Sequence, residues 1–139
     1  NIDNNEYKIN INHNKKDTKS KIISHGINLN NNKLDFIING IIKKDSSNCI
    51  CNHDSKIIVL DENNCLIKPN LIVDNNEVEA NHSAYIGTFN EEEVFYLKAR
   101  GLTEYDTKKL IGKAFLMKNR DISYKNKEQI LNDINLYWR

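Results

Sequence analysis

The sequence predicts a β domain that ends in a small helical cap. Three observations carry this. Between residues 21 and 89, short apolar runs rich in isoleucine and valine recur, each bounded by Asn, Asp or Gly, which is how strands are punctuated. From residue 90 the apolar residues change to helical spacing behind a capping residue and an acidic first turn. Residues 1–20 are polar and rich in Asn and Lys, and stand outside both patterns.

The strand runs are KIISHGI, LDFIINGII, KIIVL, CLIKPNLIV and VEANHSAYIG. Several are apolar at consecutive positions rather than alternating. Such strands are covered on both faces, or belong to a coiled parallel architecture. No stretch of helical spacing separates one run from the next, which argues against βαβ winding. A sandwich and a β-helix both remain, and period alone does not choose between them. The first 20 residues bury little apolar surface, and two readings stay open for them: a mobile lead-in, or a short strand at YKINI, which alternates.

The helical part, residues 90–139, divides into three. Asn90 is a capping residue with Glu93 three positions later, a capping-box pattern. Glu91, Glu92 and Glu93 stand at the positive end of the helix dipole. Val94, Phe95 and Leu97 follow, and Arg100-Gly101 is the stop. Thr103 caps a second helix with Leu110, Ile111, Ala114 and Phe115 at helical spacing. Ser123 caps a third, with Ile130, Leu131, Ile134, Tyr137 and Trp138 on one side. Such narrow apolar stripes must bury against the strand region or another chain.

Composition removes several function classes. The 139 residues carry 20 basic and 19 acidic side chains, a net charge of +1. A nucleic-acid binder normally shows a basic patch, and none stands out. No apolar run approaches the roughly 20 residues that span a bilayer. The five glycines are scattered, so there is no phosphate-cradling loop. Asparagine makes up about a sixth of the chain against a much lower average usage. That bias follows AT-rich codons, so asparagine clusters alone do not mark turns.

Four sets of residues carry candidate chemistry. Cys49, Cys51 and His53 alternate in NCICNHDS and share one face of a strand. With Cys65 they are a candidate zinc set, although no C-x2-C knuckle is present; the plainer reading is small side chains along a strand. Three cysteines are an odd set, which argues for a reducing compartment. His13, His25 and His53 are isolated and read as surface or satisfied core residues. Lys108, Lys109, Lys113, Lys118 and Arg120 make the second helix basic, either a solvated face or a docking face for an acidic partner. His82 lies on the last strand before the helices.

Between residues 57 and 116 the chain sets out, in order, Asp61, Pro69, Leu71, Ile72 and Val78, the strand NHSAYIG with His82, the acidic start EEE and the run FYLKARG at 95–101; this order resembles the C-terminal part of the SufB/SufD family, the scaffold subunits of the Suf iron–sulfur cluster assembly machine. Asn81-His82-Ser83-Ala84-Tyr85-Ile86-Gly87 matches the family's histidine strand. Glu91-Glu92-Glu93 and Phe95-Tyr96-Leu97-Lys98-Ala99-Arg100-Gly101 match its acidic helix and FYL-x-x-RG signature. Upstream, Asp61, Pro69, Leu71, Ile72 and Val78 fall at or near the family's spacing. SufB-type chains carry a glutamate beside the histidine and a cysteine where this chain has Leu97; both departures favour SufD. SufD-type chains often carry a cysteine where Ala80 stands, so that thiol is missing.

The resemblance implies the end of a right-handed parallel β-helix over residues 21–89, followed by a helical ATPase-docking domain over 90–139. It implies a non-catalytic scaffold that pairs with a SufB-type subunit and docks a SufC-type ATPase. His82 would face the SufB partner and serve as a transient iron ligand, with no tightly bound cofactor and a transient cluster shared with SufB. Phe95, Tyr96, Arg100, Gly101, Lys108, Lys109 and Lys113 would form the docking region, and ATPase movement would pass through the helices. A SufB-like cluster-bearing subunit and a zinc-binding module are the alternatives. Neither nucleic acid nor membrane is an expected partner. Suf systems of eukaryotes work in plastids, so an apicoplast stroma-like compartment is expected, with a bacterial cytoplasm as the alternative. SufD-like chains are several times longer, so this chain is expected to be the C-terminal part of a larger protein.

Overall fold

The computed structural model describes residues 4–29, 32–60, 64–118 and 122–138. Six strands come first: β1 (Asn4–His13), β2 (Lys19–Asn28), β3 (Lys33–Ile42), β4 (Ile50–Val59), β5 (Asn64–Val73) and β6 (Glu79–Gly87). They form two sheets in the orders β1-β3-β5 and β2-β4-β6. Every pairing is parallel. The chain therefore switches sheet at each turn and returns to the first sheet one rung further on. This is the coil of a parallel β-helix, which decides against a sandwich.

Side chains repeat from rung to rung. Asn39 donates through Nδ2 to Asn10 Oδ1 at 2.7 Å, and Asn70 donates likewise to Asn39 at 2.6 Å; these partners are 29 and 31 positions apart. The middle amide, Asn39, donates to one rung and accepts from the next, the satisfaction that stacked amides provide. Turns stack as well. Asp17 and Asn48 both adopt left-handed backbone, with φ of 61° and 57°, which these short polar residues tolerate. The Asp17 amide donates to Ser47 O and the Asn48 amide to Glu77 O.

The interior between the sheets takes alternate residues. Ile22, Phe36, Ile38, Ile57 and Val59 form one cluster; Ile42, Cys49 and Cys51 form another towards the opposite strand ends. The consecutive apolarity of KIIVL now has its cause. Ile57 faces the interior, whereas Ile58 faces outward beneath the helices with Phe89, Ile134 and Trp138.

Of the two readings open for the segment 1–20, the structure shows the strand: β1 contains YKINI and is twice its length. Backbone pairing with β3 holds it, helped by the Asn10 ladder bond and an edge-on contact of Tyr7 with Phe36 at 5.9 Å. Apolar burial is small there, but the ladder does not need it.

Three helices follow: α1 (Glu91–Ala99), α2 (Glu104–Met117) and α3 (Tyr124–Tyr137). Each is capped as the sequence predicts. Asn90 accepts from the amides of Glu92 and Glu93, Thr103 from Asp106, and Ser123 from Asn126. The end of α1 is a Schellman motif: Leu102 N–H donates to Leu97 O, and Gly101 N–H to Lys98 O. Gly101 has φ +95°, so its role is in the backbone. Gly101→Ala is expected to cost about 1–2 kcal/mol, read as a lower denaturant midpoint with unchanged slope.

Glu104 joins α1 to α2. Its carboxylate accepts from Lys98 at 3.0 Å and pairs with Lys108 at 2.8 Å. Hydrogen bonds from Lys108 and Lys98, with their charge, hold its pKa down from 4.5 to about 2. The folded value lies below the unfolded one, so this clamp is fully present above the unfolded pKa and is lost as pH falls towards about 2. Solvent screening keeps the pair's contribution small. A carboxyl-carbon NMR titration should show Glu104 turning over near pH 2 in the wild type, and higher in Lys108→Ala.

Candidate functional site

β5 and β6 are the last strands of their sheets, each paired on one side only. Pro69 fits in β5 because such an edge leaves room for a residue that cannot donate. On β6 nearly every residue is exposed. By register, Ala80, His82, Ala84 and Ile86 continue the inward-facing line of Cys51, His53, Ser55 and Ile57 on β4. His82 is therefore an inward-facing residue laid bare because no rung follows among the described residues.

Directly beneath it lies His53, its in-register partner, with 3% exposure. Cys51 Sγ is 3.3 Å from His53 Nε2. His53 Nδ1 is buried with no hydrogen-bond partner. Burial pushes the His53 pKa down, and the neighbouring His82 and His13 push it the same way. The opposite wall is Gly40. A Cβ there would stand 2.9 Å from His53 Cε1 and 3.0 Å from Cys51 Sγ, so the glycine leaves space that these two side chains need.

The candidate zinc set is not assembled. Cys65 packs at the far end of the interior against the Phe36 and Val59 cluster, and its sulfur accepts from Asn28 at 3.1 Å. Burial pushes its thiol pKa up. Cys49 is tied to Thr18 Oγ1 at 3.2 Å and to the Lys15 carbonyl at 3.3 Å. Among the described residues no group of three His, Cys, Asp or Glu side chains closes on a common point. The reason is topological: β4 and β5 lie in different sheets, and Cys65 packs with Val59 at the end of β4, remote from its cysteine end.

Two histidines read as isolated prove tied. His13 bonds Thr18 Oγ1 at 2.6 Å and Ser20 Oγ at 2.9 Å. His25 stacks on Phe115 at 4.5 Å and donates through Nδ1 to its carbonyl at 3.2 Å, fastening α2 to β2; burial pushes its pKa down. What residue-by-residue reading missed is the column Cys51–His53–His82. The signal was present: His53 and His82 repeat at the same interval as Asn52 and Asn81.

The helical face holds the other candidate residues. α1 buries none of its residues, and Phe95 is 75% exposed beside an exposed Tyr96. Arg100 lies over the Tyr96 ring at 4.7 Å, and Lys109 over Tyr105 at 5.5 Å. Lys108 is engaged by Glu104, and Lys113 is half-buried. Asp61 and Arg120 lie outside the described residues.

The SufBD core domain of the SUF system of iron–sulfur cluster assembly matches residues 3–115. This chain belongs to the SufBD core family. A stretch of 48 residues, 34% of the chain, is 42% identical to an iron–sulfur cluster assembly SufBD family protein of Synechocystis sp. (strain ATCC 27184 / PCC 6803 / Kazusa), and it covers 11% of that protein's length. The SufBD match spans all six strands, α1 and most of α2. It therefore includes both the exposed last rung and the aromatic face of α1. Among the described residues, no helix of this SufBD chain is long and apolar enough to cross a membrane.

Proposed function

We propose that the chain is a SufD-type scaffold for iron–sulfur cluster assembly, non-catalytic by itself. It pairs through its last rung with a SufB-type subunit and docks a SufC-type ATPase on its helices. The observation that carries this is the uncovered last rung: among the described residues, β6 offers an unpaired edge and an inward-facing histidine with no further rung above it. A bare edge of this kind invites another strand. The partner completes the coil, and His82 then faces the partner's chemistry, where a neutral imidazole ligates iron. The cluster is cargo, held transiently between the two subunits.

Leu97 supports the SufD-type assignment over a SufB-like subunit, because a half-buried leucine cannot ligate metal. The exposed aromatics of α1 and the basic side chains of α2 support the ATPase-docking role. α2 is fastened to β2 through His25 and Phe115, so a movement imposed on the helices reaches the sheet that ends in β6. A plastid stroma-like compartment is the proposed setting, with a bacterial cytoplasm as the alternative.

The test is assembly. The chain is mixed with SufB-type and SufC-type partners and followed by size-exclusion chromatography with light scattering. The expected result is a complex with each partner, with Phe95→Ala/Tyr96→Ala abolishing the ATPase complex and sparing the other. Binding to neither partner would overturn the proposal.

A further inference from the structure

We propose that Cys51, His53 and His82 together hold a divalent transition-metal ion at the open end of the β-helix. The inference rests on the reading of His82 as the cargo-facing residue, and adds the two ligands beneath it. Three features of the interior point to it.

Cys51 is the first. Of the three thiols, Cys65 is engaged by an amide and Cys49 by a hydroxyl and a carbonyl, whereas Cys51 has only an imidazole, 3.3 Å away. A thiolate and an imidazole on one tetrahedral ion lie about 3.6 Å apart, given metal–ligand distances near 2.3 and 2.1 Å. The pair is thus already close to chelating distance, with a proton where the metal would sit.

The second feature is His53 itself. It is buried, its Nε2 faces the Cys51 sulfur at 3.3 Å, and Gly40 opposite leaves the room that both side chains occupy. The third is the register. His82 lies one rung above His53, and Ala80, one rung above Cys51, contributes only a methyl. Adjacent strands are about 4.8 Å apart, so the exposed His82 ring can swing over the pair. In the present arrangement the three donors do not meet at a point; His82 closes the site when the ion arrives.

The chemistry balances simply. The ion displaces one proton from Cys51 Sγ to solvent, both imidazoles ligate as neutral groups, and the site gains one positive charge. One thiolate with two imidazoles favours zinc, ferrous or cobaltous ions over magnesium or calcium. A fourth position stays open, as in sites that exchange ligands. An open position facing the partner's side of the rung is what a site that passes its ion on requires.

Cobalt(II) alone is the probe. The chain is titrated anaerobically in a phosphine reductant and followed by absorbance and proton release. Expected are one equivalent of cobalt, a near-ultraviolet thiolate charge-transfer band and one proton released. Cys51→Ala loses the band, His82→Ala weakens binding at least tenfold while keeping it, and Cys65→Ala changes neither. A wild-type protein without the band, or a band that survives in Cys51→Ala, would overturn the proposal. X-ray absorption on the wild-type complex decides the matter if Cys51→Ala does not fold: one sulfur and two imidazole scatterers support the site, and any other sulfur count refutes it. Cobalt bound through His82 without sulfur defeats this inference and leaves the scaffold reading standing. Failure to assemble with partners beside an intact cobalt site does the reverse.

Discussion

Trp138→Ala is expected to destabilise the protein by about 3–5 kcal/mol and to loosen the helices from the β-helix. The ring is 4% exposed and tilts against Phe89 at 6.0 Å. It also sits so close to α2 that a Cβ on Gly112 would stand 2.6 Å from it. The Tyr105 hydroxyl donates to its carbonyl, tying α2 to the end of α3. One side chain thus joins α2, α3, the β6–α1 connection and, through the same cluster, Ile27 and Ile58 of the β-helix. Domains have net stabilities of about 5–15 kcal/mol, so the loss removes a large share. Thermal unfolding by circular dichroism should show a lower midpoint, and amide exchange should rise first in α2 and α3. A loss below about 1 kcal/mol would mean that the cluster relaxes around the cavity.

Ile38→Ala should cost about 2–5 kcal/mol, by a different route. Ile38 is fully buried, opposite Ile9 on one neighbouring strand and Pro69 on the other. Its side chain meets Ile22, Ile57 and Val59 in the space between the sheets. Backbone ladders on both sides prevent the sheets from collapsing into the hole, so the cavity persists. The melting midpoint is expected to fall by roughly ten degrees, and exchange should rise across β3 and its neighbours rather than in the helices. Protection lost chiefly in α2 and α3 would contradict this division of the core.

Much of this could be read from the sequence, for identifiable reasons. Helix caps are local chemistry, and Asn90, Thr103, Ser123 and Gly101 stood where the structure uses them. The apolar runs coincide with strands, and only Leu60 and Val78 at their ends fall outside. The polar half of β4 was harder, because its inward positions carry Cys51, His53 and Ser55 rather than aliphatic residues. β1 was hidden for a similar reason: it is held by pairing rather than burial. The winding itself is a long-range property. It is written in residues that repeat one rung apart, such as Asn39 and Asn70 or His53 and His82, and the general abundance of asparagine conceals that repeat. Spacing within one strand drew Cys49 and Cys51 together and left Cys65 as a nominal fourth ligand. Only the alternation of sheets shows that Cys65 belongs to another end of the interior, and that His82 is the true neighbour of His53.

The most direct measurement compares cluster formation by the assembled complex carrying wild-type chain, His82→Ala or, as a control at an exposed position of α3, Lys125→Ala, with complex formation checked by light scattering. The scaffold account predicts that all three assemble and that His82→Ala alone loses the iron–sulfur absorbance. Full cluster formation by an intact His82→Ala complex would contradict it.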